Sequence, residues 1–282
     1  MSARALLLAA LLVPLAAHAA GALERIKSSG RISVAFATDA PPFAVRKADG
    51  QPDGYSIDLC KRVIAAIQAQ LKLKKLDVHW AGATTPERLK LVADGKADLE
   101  CGVTTHTLSR EERVAFSLPV FIDGGGLLVA KGSPIVSVPG LDGKKIAVVG
   151  GTTTEKRLRD LLKERGIAAE VVPAEHRSAA FALLDRDEVQ AYAGDRAVLI
   201  GQVLTTPTRT PDWTLLDTDI SYEPYAFALP RNDPALRLAV DRAIAETYRS
   251  RKIEDIYARW FGRFGPPQPL LRAMFVLNQI PE

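Results

Sequence analysis

Apolar positions along the chain switch repeatedly between a period of two and a period near 3.6. Residues 23–30 carry a short helical pattern ended by Gly30, and residues 31–37 read as a strand with Ile32, Val34 and Phe36 on one face. Asp49-Gly50 and Asp53-Gly54 mark turns. From Ser56, the set Leu59, Val63, Ile64, Ile67 and Leu71 has helical spacing, and residues 76–80 return as a strand. Thr84-Thr85-Pro86-Glu87 predicts a capped helix with proline in its first turn, running to Gly95. A strand over 97–103 follows, then a second capping box from Ser109 to Glu112.

A second series has strands over 145–149, 170–172, 189–193, 213–216 and 225–229, with helices over 155–165, near 178–184 and from Asp195. Two amphipathic helices close it, one with Leu236, Val240, Ile244 and Tyr248, the other with Ile253, Ile256, Tyr257, Trp260 and Phe261. Pro266, Pro267 and Pro269 predict that the tail packs as an extended strap. Alternating strands and helices with short connections imply α/β units with mainly parallel sheets. Gly124-Gly125-Gly126 interrupts the rhythm and predicts flexibility or unusual dihedrals. Two α/β lobes joined there, with a return crossing near Ser221 to Tyr225, form a hinged pair with a ligand cleft at the strand ends. The expected division is 20–124 for the first lobe, 125–221 for the second, and 222–282 for the return and the strap.

The N-terminus changes the picture of where this happens. Arg4, an apolar run from Ala5 to Ala17 broken by Pro14, and Ala17-His18-Ala19 make a secretion signal over residues 1–19. The run is short of the roughly 18–20 residues that cross a bilayer. No Cys follows it for lipid attachment, so a soluble mature chain in the periplasm is expected. In that oxidising compartment the pair Cys60 and Cys101 favours a disulfide.

A length of 282 residues suits two lobes of roughly 100–150 each. The net charge of +4 is scattered; Arg157, Arg159 and Lys163 alternate with Glu155, Asp160 and Glu164, a solvated helix face rather than a nucleic-acid stripe. His79, His106 and His176 with two cysteines offer no metal-ligand spacing, and no cofactor is expected. No G-x-S-x-G, H-E-x-x-H or phosphate-loop motif occurs.

Three places could still receive a charged solute. Gly150-Gly151-Thr152-Thr153-Thr154 ends a strand and opens a helix, which suits a single carboxylate or is simply a capped turn. Arg110, beyond Thr104-Thr105, can grip a carboxylate or balance Glu111 and Glu112 at the surface. Asp195 can take an ammonium or cap its helix. Together Arg110 and Thr153 would hold an α-carboxylate and Asp195 an α-ammonium, the pairing that a buried zwitterion requires.

At these residues the chain resembles the amino-acid-binding receptors of ABC importers, the bacterial extracellular solute-binding proteins of family 3. The resemblance spans nearly the whole mature chain: Pro42-Phe43, Gly54-Tyr55-Ser56-Ile57-Asp58-Leu59, Gly95-Lys96-Ala97-Asp98-Leu99-Glu100-Cys101-Gly102, Arg110 with Val114-Ala115-Phe116-Ser117, Leu141-Asp142-Gly143-Lys144-Lys145, Gly151-Thr152-Thr153 and Trp260-Phe261. The Asp98–Gly102 run, Thr104-Thr105, the His176 segment and the proline-rich end resemble the glutamate/aspartate branch. The resemblance implies a type II periplasmic-binding-protein fold with two crossings, and a monomer serving an inner-membrane permease and its ATPase. It implies that Arg110, Thr105 and Thr153 hold the carboxylate and Asp195 the ammonium, and that Thr85, Arg88 and His176 face the ligand side chain. The chain departs from the branch at Ala37, where those receptors carry Arg, and at Val103, where they carry Ser, which leaves a backbone carbonyl for the ammonium. A small-acid dehydratase or lyase on the same fold is the alternative, with Glu100 or His176 as its acid and base.

Overall fold

The computed structural model describes residues 21–207 and 212–282. The expected secretion signal lies outside the described residues. A single sheet carries both halves of the protein. Its strands lie in the order Asp77–Gly82, Arg31–Phe36, Leu99–Cys101, Ser221–Pro230, Val114–Ala130, Ala191–Asp195, Lys145–Val149 and Glu170–Ala174, with Trp213–Leu215 pairing on Val114–Ala130. Pairing is parallel among the first three and among the last three. The two long central strands run antiparallel to each other, and there the chain crosses between halves.

The buried side chains separate in the same way. One core, including Ile32, Phe36, Phe43, Tyr55, Phe121, Tyr225, Phe227 and Phe261, draws on residues 22–121 and 225–275, with Val198 added from the other half. Two further cores, around Ile146, Val148 and Leu158 and around Phe181, Tyr192 and Leu199, lie within residues 127–220. Both halves therefore bury apolar faces of their own while sharing one hydrogen-bonded ladder.

Local sequence explains how cleft residues are aimed. Thr84 and Glu87 form the expected reciprocal capping box, with Pro86 in the first turn, and start the helix Thr85–Ala93. Val92 on that helix packs in a smaller cluster with Ala35, Phe116 and Ala228, and Thr85 and Arg88 on the same helix are buried as well. The helix Tyr55–Gln70 buries Ile57, Leu59, Cys60, Val63, Ile64 and Ile67 along one stripe. Its N-cap, Gly54, has φ +132° and lies so close to Phe43 that a Cβ would stand 2.1 Å from the Phe43 carbonyl oxygen.

Three expectations need correction. Gly124, Gly125 and Gly126 do not break a strand; they lie inside Val114–Ala130, and none has positive φ. Their cause is close approach: a Cβ would stand 3.1 Å from Asp219 Oδ1, 2.2 Å from Ser221 Oγ and 2.8 Å from Arg196 Cγ, respectively. The cap before Arg110 is Thr107 rather than Ser109, because the Thr107 hydroxyl accepts the Arg110 N–H and the helix spans Leu108–Glu111. The tail is not an extended strap: Pro269–Leu277 is a helix. Proline at its first position costs no hydrogen bond, and Leu271, Met274 and Phe275 bury one face at helical spacing.

Cys60 and Cys101 are both buried and form a disulfide across 41 positions of chain. Closing a loop of that length removes denatured-state entropy worth about 4 kcal/mol. Cys60→Ala/Cys101→Ala should therefore lower the urea midpoint of the transition that unfolds the residue 22–121 core. A midpoint unchanged at constant slope would show that the bridge does not stabilise this half.

Candidate functional site

Side chains from both halves converge where the two crossing strands enter the cleft. The first half brings Asp39, Thr85, Arg88, Val103, Thr105 and Arg110; the second brings Thr153, Arg177 and Asp195. Between them, on the crossing strand Ser221–Pro230, stands Glu223, which is wholly buried. The sequence reading assigned it no role.

Glu223 occupies one end of the site. Its Oε2 accepts hydrogen bonds from the hydroxyls of Thr105 and Thr153, the latter at 2.7 Å, and its Oε1 accepts one from Ser221 at 2.5 Å. Thr105 and Thr153 are themselves 3.2 Å apart across the cleft. Arg110 lies alongside, donating from Nη1 to the Thr105 carbonyl at 2.7 Å. Burial works against the Arg110 charge, and Glu223 is the strongest opposing influence. Burial, reinforced by Asp195, raises the Glu223 pKa. Thr105 and Thr153 thus meet at a carboxylate of the protein's own, whose charge Arg110 feels.

Asp195 sits at the N-cap position of the helix Arg196–Thr205 without making a side-chain cap bond. Its Oδ1 instead accepts from the Thr154 hydroxyl at 3.1 Å, and its Oδ2 lies 3.9 Å from Arg177. The capping alternative is therefore set aside. Val103 is buried between Cys101 and the Thr104-Thr105 pair. Behind Asp195, burial and the Asp195 charge push Asp123 up to about 7, against hydrogen bonds from Gly124, Ala197 and Tyr225.

The other end differs from expectation in two residues. Arg88 is fully buried but committed: Nε donates to Glu100 at 2.7 Å, Nη1 to the Ala83 carbonyl at 3.0 Å, and Nη2 to Thr85 at 3.2 Å and Thr104 at 3.3 Å. Burial lowers its pKa, with Glu100 resisting. The His176 side chain is about half exposed, and its Nδ1 accepts from the Ala179 N–H at 3.1 Å, which makes it the N-cap of the helix Arg177–Asp185. The next residue, Arg177, enters the cleft instead and is 6% exposed. Its guanidinium lies 3.6 Å from Asp39 Oδ1 and 3.9 Å from Asp195 Oδ2. Asp39 Oδ2 accepts from the Ser178 N–H at 3.2 Å, so this contact also joins the two halves. Ala37 is buried and supplies no charge.

A cavity of about 940 Å³ opens beside the Arg110 end, with Thr105, Thr153, Ser221, Tyr222 and Glu223 on its wall. Among the described residues no cluster of three or more His, Cys, Asp or Glu is placed to hold a metal, and no helix is long and apolar enough to cross a membrane.

Comparison with known proteins agrees with this architecture. The family model of bacterial extracellular solute-binding proteins, family 3, matches residues 32–263. The L-glutamate/L-aspartate-binding protein of Pseudomonas aeruginosa is 32% identical over 251 residues, 89% of this chain and 83% of that protein. The glutamate/aspartate import solute-binding protein of Salmonella typhimurium is 32% identical over 256 residues, 90% of this chain and 84% of that protein. An ancestral arginine-binding protein solved with glutamine superposes with a TM-score of 0.73 at 27% identity, covering 83% of this chain and 98% of that one. With two core-bearing halves, two antiparallel crossings and a polar cleft between them, the chain belongs to the bacterial extracellular solute-binding proteins of family 3.

Proposed function

We propose that the protein captures a polar α-amino acid in the periplasm and delivers it to an inner-membrane ABC permease and its ATPase. The observation that carries this reading is the buried Glu223 carboxylate, held by Thr105 from one half and Thr153 from the other beside Arg110. The same donors suit the α-carboxylate of a ligand, which would displace Glu223 on entering. Asp195, unspent as a cap, would take the α-ammonium together with the Val103 carbonyl. Every charge of the zwitterion then has a partner, as burial requires. The matched relatives in the family are named as glutamate/aspartate-binding proteins, which supports an amino-acid ligand.

The lobes of this reading follow the cores: 20–124 with 222–282, against 125–221. Delivery begins with a signal removed at Ala19, and the receptor acts as a monomer. The dehydratase alternative gains no support from geometry, because Glu100 is engaged by Arg88 and His176 by its own helix.

Calorimetry across the twenty amino acids tests the reading directly. Arg110→Ala removes a buried charged partner worth about 3 kcal/mol, so every amino acid that binds should bind roughly 100-fold more weakly. Retained affinity in that variant would place the carboxylate elsewhere.

Glu223 generates a second expectation. Burial raises its pKa, and displacement by the ligand returns the carboxyl toward its ordinary value, so binding releases a proton and strengthens as pH rises through the raised pKa. Glu223→Gln should bind more tightly at pH 8 and lose the pH dependence. Weaker binding in this variant would show that Glu223 supports the ligand rather than competing with it.

A further inference from the structure

We infer that the side-chain end of the cleft selects an uncharged group carrying both a donor and an acceptor, a carboxamide or ureido group, in preference to a carboxylate. The inference deepens the amino-acid reading above and rests on it. Charge matching is its basis. Arg88 is neutralised by Glu100 at 2.7 Å and commits four of its five N–H donors to Glu100, Ala83, Thr85 and Thr104, while Glu100 Oε2, also buried, has no hydrogen-bond partner among the described residues. The ligand's own α-carboxylate and α-ammonium engage Arg110 and Asp195. That leaves Arg177 and Asp39 as the charged pair facing the side chain, with buried Ala37 adding nothing and His176 turned to its helix.

This pair is neutral as a unit but not closed. Its 3.6 Å separation exceeds the roughly 2.7–2.9 Å of a charge-assisted hydrogen bond, and Arg177 makes no side-chain hydrogen bond among the described residues. A guanidinium offers five N–H donors in a fixed fork, and Asp39 Oδ1 offers lone pairs facing it. An amide satisfies both, its carbonyl accepting from Arg177 and its NH₂ donating to Asp39. A carboxylate would satisfy Arg177 but place a negative charge against Asp39, with Asp195 also close. A cationic side chain would satisfy Asp39 but stand against Arg177 and Arg88. Sites that hydrogen-bond a polar group discriminate strongly against analogues that leave a buried partner unpaired.

The test is a calorimetric panel of glutamine, asparagine, citrulline, glutamate, aspartate, lysine and arginine against the native protein and Asp39→Asn. In the native protein an amide or ureido ligand should bind at least tenfold more tightly than glutamate or aspartate. Asp39→Asn keeps the acceptor for Ser178 but removes the repelling charge, so the glutamine-to-glutamate affinity ratio should fall at least tenfold. Native preference for a carboxylate or cationic side chain overturns the inference and leaves the amino-acid reading standing. An unmoved ratio in a variant with native circular dichroism also overturns it. Silence across the whole panel overturns the inference, and silence across all twenty amino acids overturns both readings together.

Discussion

The contact on which the cleft depends is a carboxylate shared by two hydroxyls from opposite halves. Glu223 cannot lie wholly buried beside Arg110 without partners, and Thr105 and Thr153 supply them from the two sides. The same contact draws the start of the helix Thr153–Glu164 toward the Arg110 loop. Closing the cleft and neutralising its charge are therefore one event. A ligand that brings its own carboxylate substitutes one bridging anion for another and leaves the bridging geometry in place, so only differential affinity for the closed arrangement is needed.

The remaining charges obey the same constraint in graded form. Arg88 and Glu100 make a hydrogen-bonded, fully buried pair that ties the helix Thr85–Ala93 to the strand Leu99–Cys101. Arg177, Asp39 and Asp195 make an open set, spaced at ion-pair rather than hydrogen-bond distances. The first arrangement is the more heavily committed, with four of the five Arg88 N–H donors bonded. The second is the one with capacity to exchange partners. Burial alone does not separate them, because both arginines are removed from solvent; the hydrogen-bond inventory does.

Much of this was legible in sequence. Strand and helix periodicity placed most helices and the parallel strands, but not the long strand Val114–Ala130 as a whole or the short strands over 39–53, since alternation and 3.6-residue spacing report on which face is buried only where one face is. Thr153 and Asp195 stand at the starts of their helices and Arg110 inside the short helix Leu108–Glu111. Three features resisted reading. Arg177 was overlooked in favour of His176 because a one-residue step at a helix N-terminus decides which side chain caps and which enters the cleft. Glu223 lay in a stretch read only as a crossing, although an acid amid the apolar residues of a strand was a usable signal. The final helix was masked by prolines, which are compatible with a helix at its first position.

The three glycines of the crossing strand bear on the carboxylate end of the cleft. Ser221 and Arg196 press against bare backbone there, so a side chain at 125 or 126 would force them to shift, and Asp219 makes 124 tight. Ser221 also bonds Glu223, which ties that tight spot to the carboxylate end of the cleft. A side chain introduced at 125 or 126 would therefore push on the crossing and on the carboxylate end of the cleft together.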